Sequence, residues 1–443
     1  MVNLIKNFQK KILKNGMTII FEKRNVPVVS VAFAVRAGGI NEEISEKGIS
    51  HFIEHMLYKG TKTRTSKQIA EEIEKNGGEL NGFTSEEITA YFCKMPSKHL
   101  DIALNVLTDI IKNSVFDEKE LEKERKVIFE EIKMYKDNPQ MHSISEIQKL
   151  LYTGTLGINL AGTYESMNSI DRKKIMEKFK QIYEPNNFIL CVVGDADFEQ
   201  IIKFAEKNFG SPPRDTQGGH ENLRAGDSSK DDAAAPSSKD DAAAPSGEPQ
   251  KSAVPKQDFE LKNENKIEER EGVDQANLVF AYHVPAASDN KCYAAKVLSS
   301  LMTGGMSSRL FEEIREKRNL AYAVSGDSEI NRDFAYNLIY VGTMKENIEQ
   351  VKKIIFNEFE KVSVQLSEKE LKEIKEQLIG NYQISMEGSQ TQMINLLISE
   401  IQGEAKDFYE YEKNISKVKL KDVKDLAKKA IKEYSFFALV PKK

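Results

Sequence analysis

Two histidines and a glutamate in the segment His51-Phe52-Ile53-Glu54-His55 have the types and spacing to do chemistry. On a helix, His51 and His55 stand one turn apart on one face. That separation suits two nitrogen ligands of a tetrahedral zinc ion. Glu54 borders the same face, where it can hold a metal-bound water and take its proton. The order is the reverse of the commoner His-Glu-x-x-His, with the same physical logic. The chain has six His and 69 acidic residues in 443, so chance supplies only about 0.01 such matches. A solvated or buried pair without function is the alternative that this scarcity argues against.

A catalytic zinc keeps three protein ligands and leaves a fourth position open, so a third ligand is required. The segment Glu118 to Ile132 reads as a charged helix with Asp117 as its N-cap. Glu124 and Glu131 lie two turns apart on one face, beside an apolar stripe of Val127, Ile128 and Ile132. A carboxylate next to that stripe can point inward to a metal.

The elements that must position these groups follow from hydrophobic periodicity. Period-2 apolar runs at 18–22, 28–35 and 188–194 predict strands, and helical patterns fall near 46–58, 66–75, 97–113 and 117–137. The later part of the chain repeats the order, with strands near 276–282, 335–342 and 436–440 and helices near 288–302, 345–361 and 367–386. Phe116 to Leu121 matches Leu366 to Leu371 at a constant offset of 250, with Asp117 and Ser367 as N-caps and Glu120 and Glu370 completing capping boxes. This points to an internal duplication. Between the halves, residues 228–236 are repeated at once as 237–245 in a stretch rich in Ser, Ala, Pro and Asp. Such a stretch cannot bury enough apolar area to offset its ordering entropy and reads as a disordered linker, with an engineered insert as the alternative origin of the perfect repeat. The expected division is 1–210, a linker at 211–257, and 258–443.

Composition excludes several classes. A net charge of −5 from 64 basic and 69 acidic residues argues against a general nucleic-acid or membrane-surface binder. No apolar stretch approaches a membrane span and no secretory signal is evident, so a cytoplasmic location is expected. Cys93, Cys191 and Cys292 are far apart and form no Cys-x-x-Cys pair, which fits reduced, buried thiols rather than a disulfide framework. His283 has no partner of suitable spacing and is expected to be structural or solvated.

The His51-to-His55 motif, followed by Met56 to Thr61 and later by Glu124 to Glu131, resembles the pitrilysin and mitochondrial-processing-peptidase family of inverted zincins. The resemblance spans both halves of the chain. It implies an α+β fold of two homologous α/β-sandwich domains, each a mixed, mostly antiparallel sheet packed by helices. It implies one zinc per chain on His51, His55 and Glu131, with the adjacent Glu130 as the alternative, Glu54 as general base and Glu124 orienting a ligand. Residues 77–91 are similar to the family's edge-strand region, where Asn81 and Thr84 would contact substrate backbone.

The later half looks like a copy without the metal, since Ala295, Leu298 and Ser299 stand opposite His51, Glu54 and His55, and Asn381 stands opposite Glu131. Residues 304–322 resemble the family's C-terminal signature, which implies that Arg315 and Tyr322 complete the active site from a partner chain. The expectation is a zinc metalloendopeptidase acting on extended peptides enclosed between two chains. A homodimer is expected, with a heterodimer as the alternative. A non-catalytic subunit of the same fold and a zinc hydrolase of another substrate class are the rival readings.

Overall fold

The computed structural model describes residues 5–210 and 255–442. The period-2 runs form strands because their alternating side chains meet helices on both faces of a sheet. The first sheet contains β1 (Phe8–Ile12), β2 (Thr18–Lys23), β3 (Val28–Val35), β4 (Glu79–Thr84), β5 (Thr89–Pro96) and β6 (Phe188–Gly194). Its order is β1-β2-β6-β3-β5-β4, antiparallel except for the β2–β6 pair. The second contains β7 (Asn265–Arg270), β8 (Ala276–His283), β9 (Ala321–Ile330), β10 (Ala335–Thr343) and β11 (Ser435–Pro441). Its order is β7-β11-β8-β10-β9, antiparallel except for β7–β11. With β1 set aside, the two orders coincide strand for strand, parallel pair included. An order this specific, shared by both halves, accords with duplication of one α/β unit.

The first half carries α1 (Ile49–Leu57), α2 (Ser66–Glu74), α3 (Leu100–Asn113), α4 (Glu118–Asp137), α5 (Pro139–Leu151), α6 (Tyr164–Ser169), α7 (Arg172–Ile182) and α8 (Phe198–Phe209). The second carries α9 (Cys292–Thr303), α10 (Ile348–Gln365), α11 (Glu368–Ser385), α12 (Ser389–Gln402), α13 (Tyr411–Lys417) and α14 (Leu420–Ala430). One face of the first sheet buries Phe33, Tyr91 and Leu190 against Phe52 and Ile53 of α1, Leu104 and Leu107 of α3, and Ile201 of α8. The corresponding face of the second sheet packs on α9, α10, α11 and α14.

The opposite faces are covered by exchange. Helix α5 leaves its own half and lays Ile147, Leu150 and Leu151 on Val279, Leu338 and Phe437 of the second sheet. Helix α12 returns the contact, with Met393, Leu396 and Leu397 on Ile20, Ala32 and Ile189 of the first. Each such side chain contributes roughly 1.5–3 kcal/mol by burial, so the sheets cannot part without exposing both seams. Polar contacts fix the seat of α12: buried Glu400 takes Arg36 at 3.1 Å and Lys10 at 2.7 Å, and Gln392 donates to Glu22 at 2.7 Å. The boundary at 210 thus separates the sheets, while α5 and α12 cross it in space.

Some local expectations are modified. Asp117 and Ser367 do cap their helices, through Lys119 N and Glu120 N and through Glu370 N. The reciprocal arms of the capping boxes do not form, because Glu120 pairs with Lys123 at 2.5 Å and Glu370 takes Arg309 at 2.7 Å instead. The buried arc of α4 centres on Leu121 and Ile128, while Val127, expected in it, is 43% exposed on the far side of Glu131. Cys93, Cys191 and Cys292 are buried and unpaired. His283 is partly buried, with Nε2 on the Lys262 carbonyl at 2.9 Å. The expected linker lies outside the described residues except at its end, where Gln257 N donates to Ile40 O at 2.8 Å. No helix among the described residues is long and apolar enough to cross a membrane.

Candidate metal centre

Helix α1 presents the histidine pair, and its start is fixed by three neighbours. Gly48 takes the left-handed conformation, φ 96°, which an L side chain rarely adopts. A Cβ there would also lie 2.6 Å from Met167 Cε and 2.9 Å from Ala161 O. The buried carboxylate of Glu42 then accepts from Gly48 N at 2.9 Å and Ser50 N at 2.7 Å. A carboxylate at the first turn meets donors that the helix itself leaves unpaired. Sequence reading missed Glu42, because it lies well upstream of the turn and matches no capping-box spacing.

With α1 seated and packed on α4, three ligand atoms converge. His55 Nε2 lies 3.2 Å from His51 Nε2, and the Glu131 carboxylate oxygens lie 3.6 Å from each. A tetrahedral zinc with ligand bonds of about 2.0–2.2 Å separates its ligand atoms by about 3.3–3.6 Å. The three groups therefore fit such an ion, and each remains partly open, with side chains about a fifth to a third exposed. Glu130 is exposed and shares in none of these contacts, so the geometry selects Glu131.

Glu124 stands behind the pair, accepting from His55 Nδ1 at 3.1 Å and from Lys59 Nζ at 2.6 Å. This turns His55 Nε2 toward the ligand cluster. Lys59 was not singled out from sequence, and no spacing rule would have found it. His51 Nδ1 is buried with no partner among the described residues. Burial, reinforced by His55, pushes the His51 pKa down to about 3. The ring is then the neutral imidazole that a metal requires.

Glu54 sits beside the cluster under β4. Burial raises its pKa, against the pull of the Thr84 hydroxyl, which donates to Glu54 Oε2 at 2.6 Å. Thr84, expected along the substrate path, thus orients the carboxylate. Asn81 is exposed on β4 and accepts from Gly82 N at 2.9 Å. Gly82 was missed, although a glycine inside a strand signals close approach. A Cβ there would meet Tyr58 Oη at 2.4 Å and Glu54 Oε1 at 3.1 Å.

Arg315 and Tyr322 meet each other and make no hydrogen bond or ion pair with His51, Glu54, His55 or Glu131. The Arg315 guanidinium lies 4.9 Å from the Tyr322 ring centroid and donates to Tyr322 O at 3.3 Å, and Tyr322 is 81% exposed. In the second half, Ala295 and Leu298 are core residues of α9, where no ligand could stand. A further cluster, His142, Glu146 and Glu268, is held within 4.8 Å. Its carboxylates are already neutralised, Glu146 by Lys149 at 2.5 Å and Lys266 at 2.7 Å and Glu268 by Arg270 at 2.8 Å, which makes it an ion-pair network at the α5 seam.

The chain is similar to several known proteins. The family described as Insulinase (Peptidase family M16) matches residues 18–164, and the Peptidase M16 inactive domain matches residues 169–378. An uncharacterised zinc protease of Bacillus subtilis is 31% identical over 96% of both chains. Another, of Rickettsia felis, is 32% identical over 86% of this chain and 84% of that one. The beta subunit of the mitochondrial-processing peptidase of Bos taurus is 34% identical over 45% of this chain and 41% of its own. The crystal structure of a protease from Helicobacter pylori shares the fold, with TM-score 0.83 at 20% identity over 98% of this chain and 99% of that one.

Proposed function

The chain belongs to peptidase family M16, a metallopeptidase family, and from that premise we propose that it is a zinc endopeptidase cleaving extended peptides. The convergence of His51, His55 and Glu131 at 3.2–3.6 Å, with Glu54 alongside, carries this reading. A zinc ion held by these three residues supplies Lewis acidity toward the scissile carbonyl and lowers the pKa of water. Glu54, held by Thr84, takes the water proton and delivers it to the leaving amine. Its raised pKa suits both halves of that exchange. Glu124 and Lys59 keep His55 in register.

Strand β4 ends the first sheet, so its outer edge is free to pair with an extended backbone. Asn81 is exposed there to meet that backbone, and Thr84 bounds its far end. A cavity of about 290 Å³, lined by Ile132, Tyr135, His142 and Tyr164, lies a turn beyond Glu131 and suits a substrate side chain. Arg315 and Tyr322 act from a second copy in a homodimer, binding the substrate carbonyl, and the exposure of an aromatic ring as large as Tyr322 favours such a contact. Buried, unpaired cysteines fit a reducing compartment, and we place the enzyme in the cytoplasm.

The test is hydrolysis of a mixed peptide library, followed by mass spectrometry, with and without a zinc chelator and with Glu54→Gln. Cleavage is expected to stop on chelation and to return with zinc. It is expected to fall at least about 10²-fold in the variant. Undiminished cleavage by the Gln variant would remove Glu54 from its role, and purified chain without stoichiometric zinc would favour a non-catalytic subunit.

A further inference from the structure

A cavity of about 400 Å³ lies in the second half, between α9, α11, α12 and the segment running into α13. It occupies the elbow of α11 and α12, which corresponds in the duplicated order to the elbow of α4 and α5 beside the candidate metal centre. At the offset of 250, Asn381 lines it where the first half has Glu131. It is a separate feature of the molecule, and nothing in it depends on the metal.

Lys296 projects from α9 into this wall. Its ammonium lies 5.5 Å from the Tyr411 ring centroid and makes no ion pair or hydrogen bond with any described residue. The buried cations Lys47, Lys178 and Arg36 are matched, by Glu86 at 3.2 Å, Glu46 at 2.6 Å and Glu400 at 3.1 Å, whereas Lys296, partly buried on the cavity wall, has no carboxylate partner among the described residues. A cation partly withdrawn from water without a counter-charge carries part of its desolvation cost uncompensated. Burial lowers the Lys296 pKa, opposed only by the neighbouring Cys292. Asp407 also lines the cavity, but faces Lys406, Glu404 and Glu410.

Around Lys296 the cavity offers neutral polar groups. The side chains of Asn381, Asn395 and Ser399 line it and have no hydrogen-bond partner among the described residues. Ile330, Leu378 and Ile398 give it an apolar wall. One uncompensated positive charge with neutral donors matches one negative charge. A phosphate dianion would bring a second charge that no cation here balances.

We propose that this cavity is a binding site for a small organic carboxylate, seated on the Lys296 ammonium and on the free amide and hydroxyl groups of Asn381, Asn395 and Ser399, with its apolar part on Ile330, Leu378 and Ile398. The carboxylate can come from a free amino acid, from the C-terminus of a short peptide or from a metabolic acid.

The test is calorimetric titration of the full-length, zinc-loaded protein with N-acetyl-L-leucine, N-acetyl-L-leucinamide, L-leucine, succinate and inorganic phosphate. N-acetyl-L-leucine is expected to bind one per chain, and at least about tenfold more tightly than its amide. Lys296→Met is expected to weaken it by at least about tenfold and Lys296→Arg to retain it. A loss confined to the Met variant cannot arise from carboxylate bound at the metal. Tighter binding of L-leucine points to a free amino acid with Asp407 receiving its ammonium, and tighter binding of N-acetyl-L-leucine to a peptide terminus. Equal binding of acid and amide, phosphate as the tightest ligand, no binding of any acid, or full affinity in Lys296→Met overturns the proposal. Should Lys296→Met fail to fold, Asn381→Leu on the exposed face of α11 serves the same comparison, and unchanged affinity there counts against the site.

Discussion

Replacing Gly82 with alanine adds one methyl group and is expected to remove most of the activity while leaving the metal in place. The added Cβ would lie 2.4 Å from Tyr58 Oη, 3.0 Å from Ala90 O and 3.1 Å from Glu54 Oε1. An ordinary contact needs about 3.5 Å, so the Tyr58 hydroxyl must give way by roughly 1 Å, and the Ala90 carbonyl and the Glu54 carboxylate by about half that. Overpacking of this kind costs about 1–3 kcal/mol of stability. A displacement of that size beside reacting groups costs about 10²-fold in rate. None of the three ligand residues is among the atoms nearest the added methyl, so zinc content is expected to stay near one per chain. The assay is kcat/KM on a fluorogenic peptide, with zinc content and a urea melt on the same preparation. Tyr58→Phe is the companion change. The Tyr58 hydroxyl is buried with no partner among the described residues, so its removal leaves no new unsatisfied group, and it takes away the closest clash. The double variant is expected to regain at least about tenfold of the lost rate. Activity of Gly82→Ala within about twofold of the parent, or no recovery in the double variant, would refute the reasoning.

Glu124→Ala removes the acceptor of His55 Nδ1 and the partner of Lys59, and is expected to weaken zinc binding about 10–100-fold in chelator competition. Gly48→Ala combines a left-handed φ with contacts at 2.6 and 2.9 Å, and is expected to destabilise by about 2–4 kcal/mol in urea while lowering zinc content. Glu86 titrates in the folded chain near pH 7, raised chiefly by burial against the pull of Lys47. A raised acid leaves its contribution intact below its unfolded pKa of about 4.5 and loses it as pH rises through the folded value. The parent is therefore expected to lose on the order of 2 kcal/mol between pH 4.5 and 7.5 that Glu86→Gln does not lose, and parallel pH profiles of the two in urea would count against it.

Much of the site could be read locally. The spacing of His51, Glu54 and His55 needs only the helical period, and Asp117 and Ser367 cap because a short polar side chain before an amphipathic run reaches the free amides of the first turn. The strands at 18–22, 28–35 and 188–194 followed from alternation. The capping boxes at Glu120 and Glu370 failed for a non-local or competing reason, since nearby cations took both carboxylates. Lys59 matters through Glu124, distant in the chain, and Glu42 through Gly48 and Ser50 at no capping-box spacing, so neither was marked by its own neighbourhood, whereas Gly82 carried a local signal as a glycine inside a strand.

The choice between Glu130 and Glu131 separates the two kinds of information. The spacing of the two histidines called for a third ligand, and the family resemblance put it on α4, at Glu131 with Glu130 as the alternative. Neighbouring helical positions differ by about 100° in direction, and which one turns inward depends on how α4 is rolled against α1. Only the tertiary structure sets that roll, through Leu121 and Ile128 buried in the first core and Glu124 anchored on His55. The exchange of α5 and α12 has the same origin. Each helix is visibly amphipathic in sequence, but an apolar face is complementary to either sheet, and the destination is decided by the polar partners that meet it there.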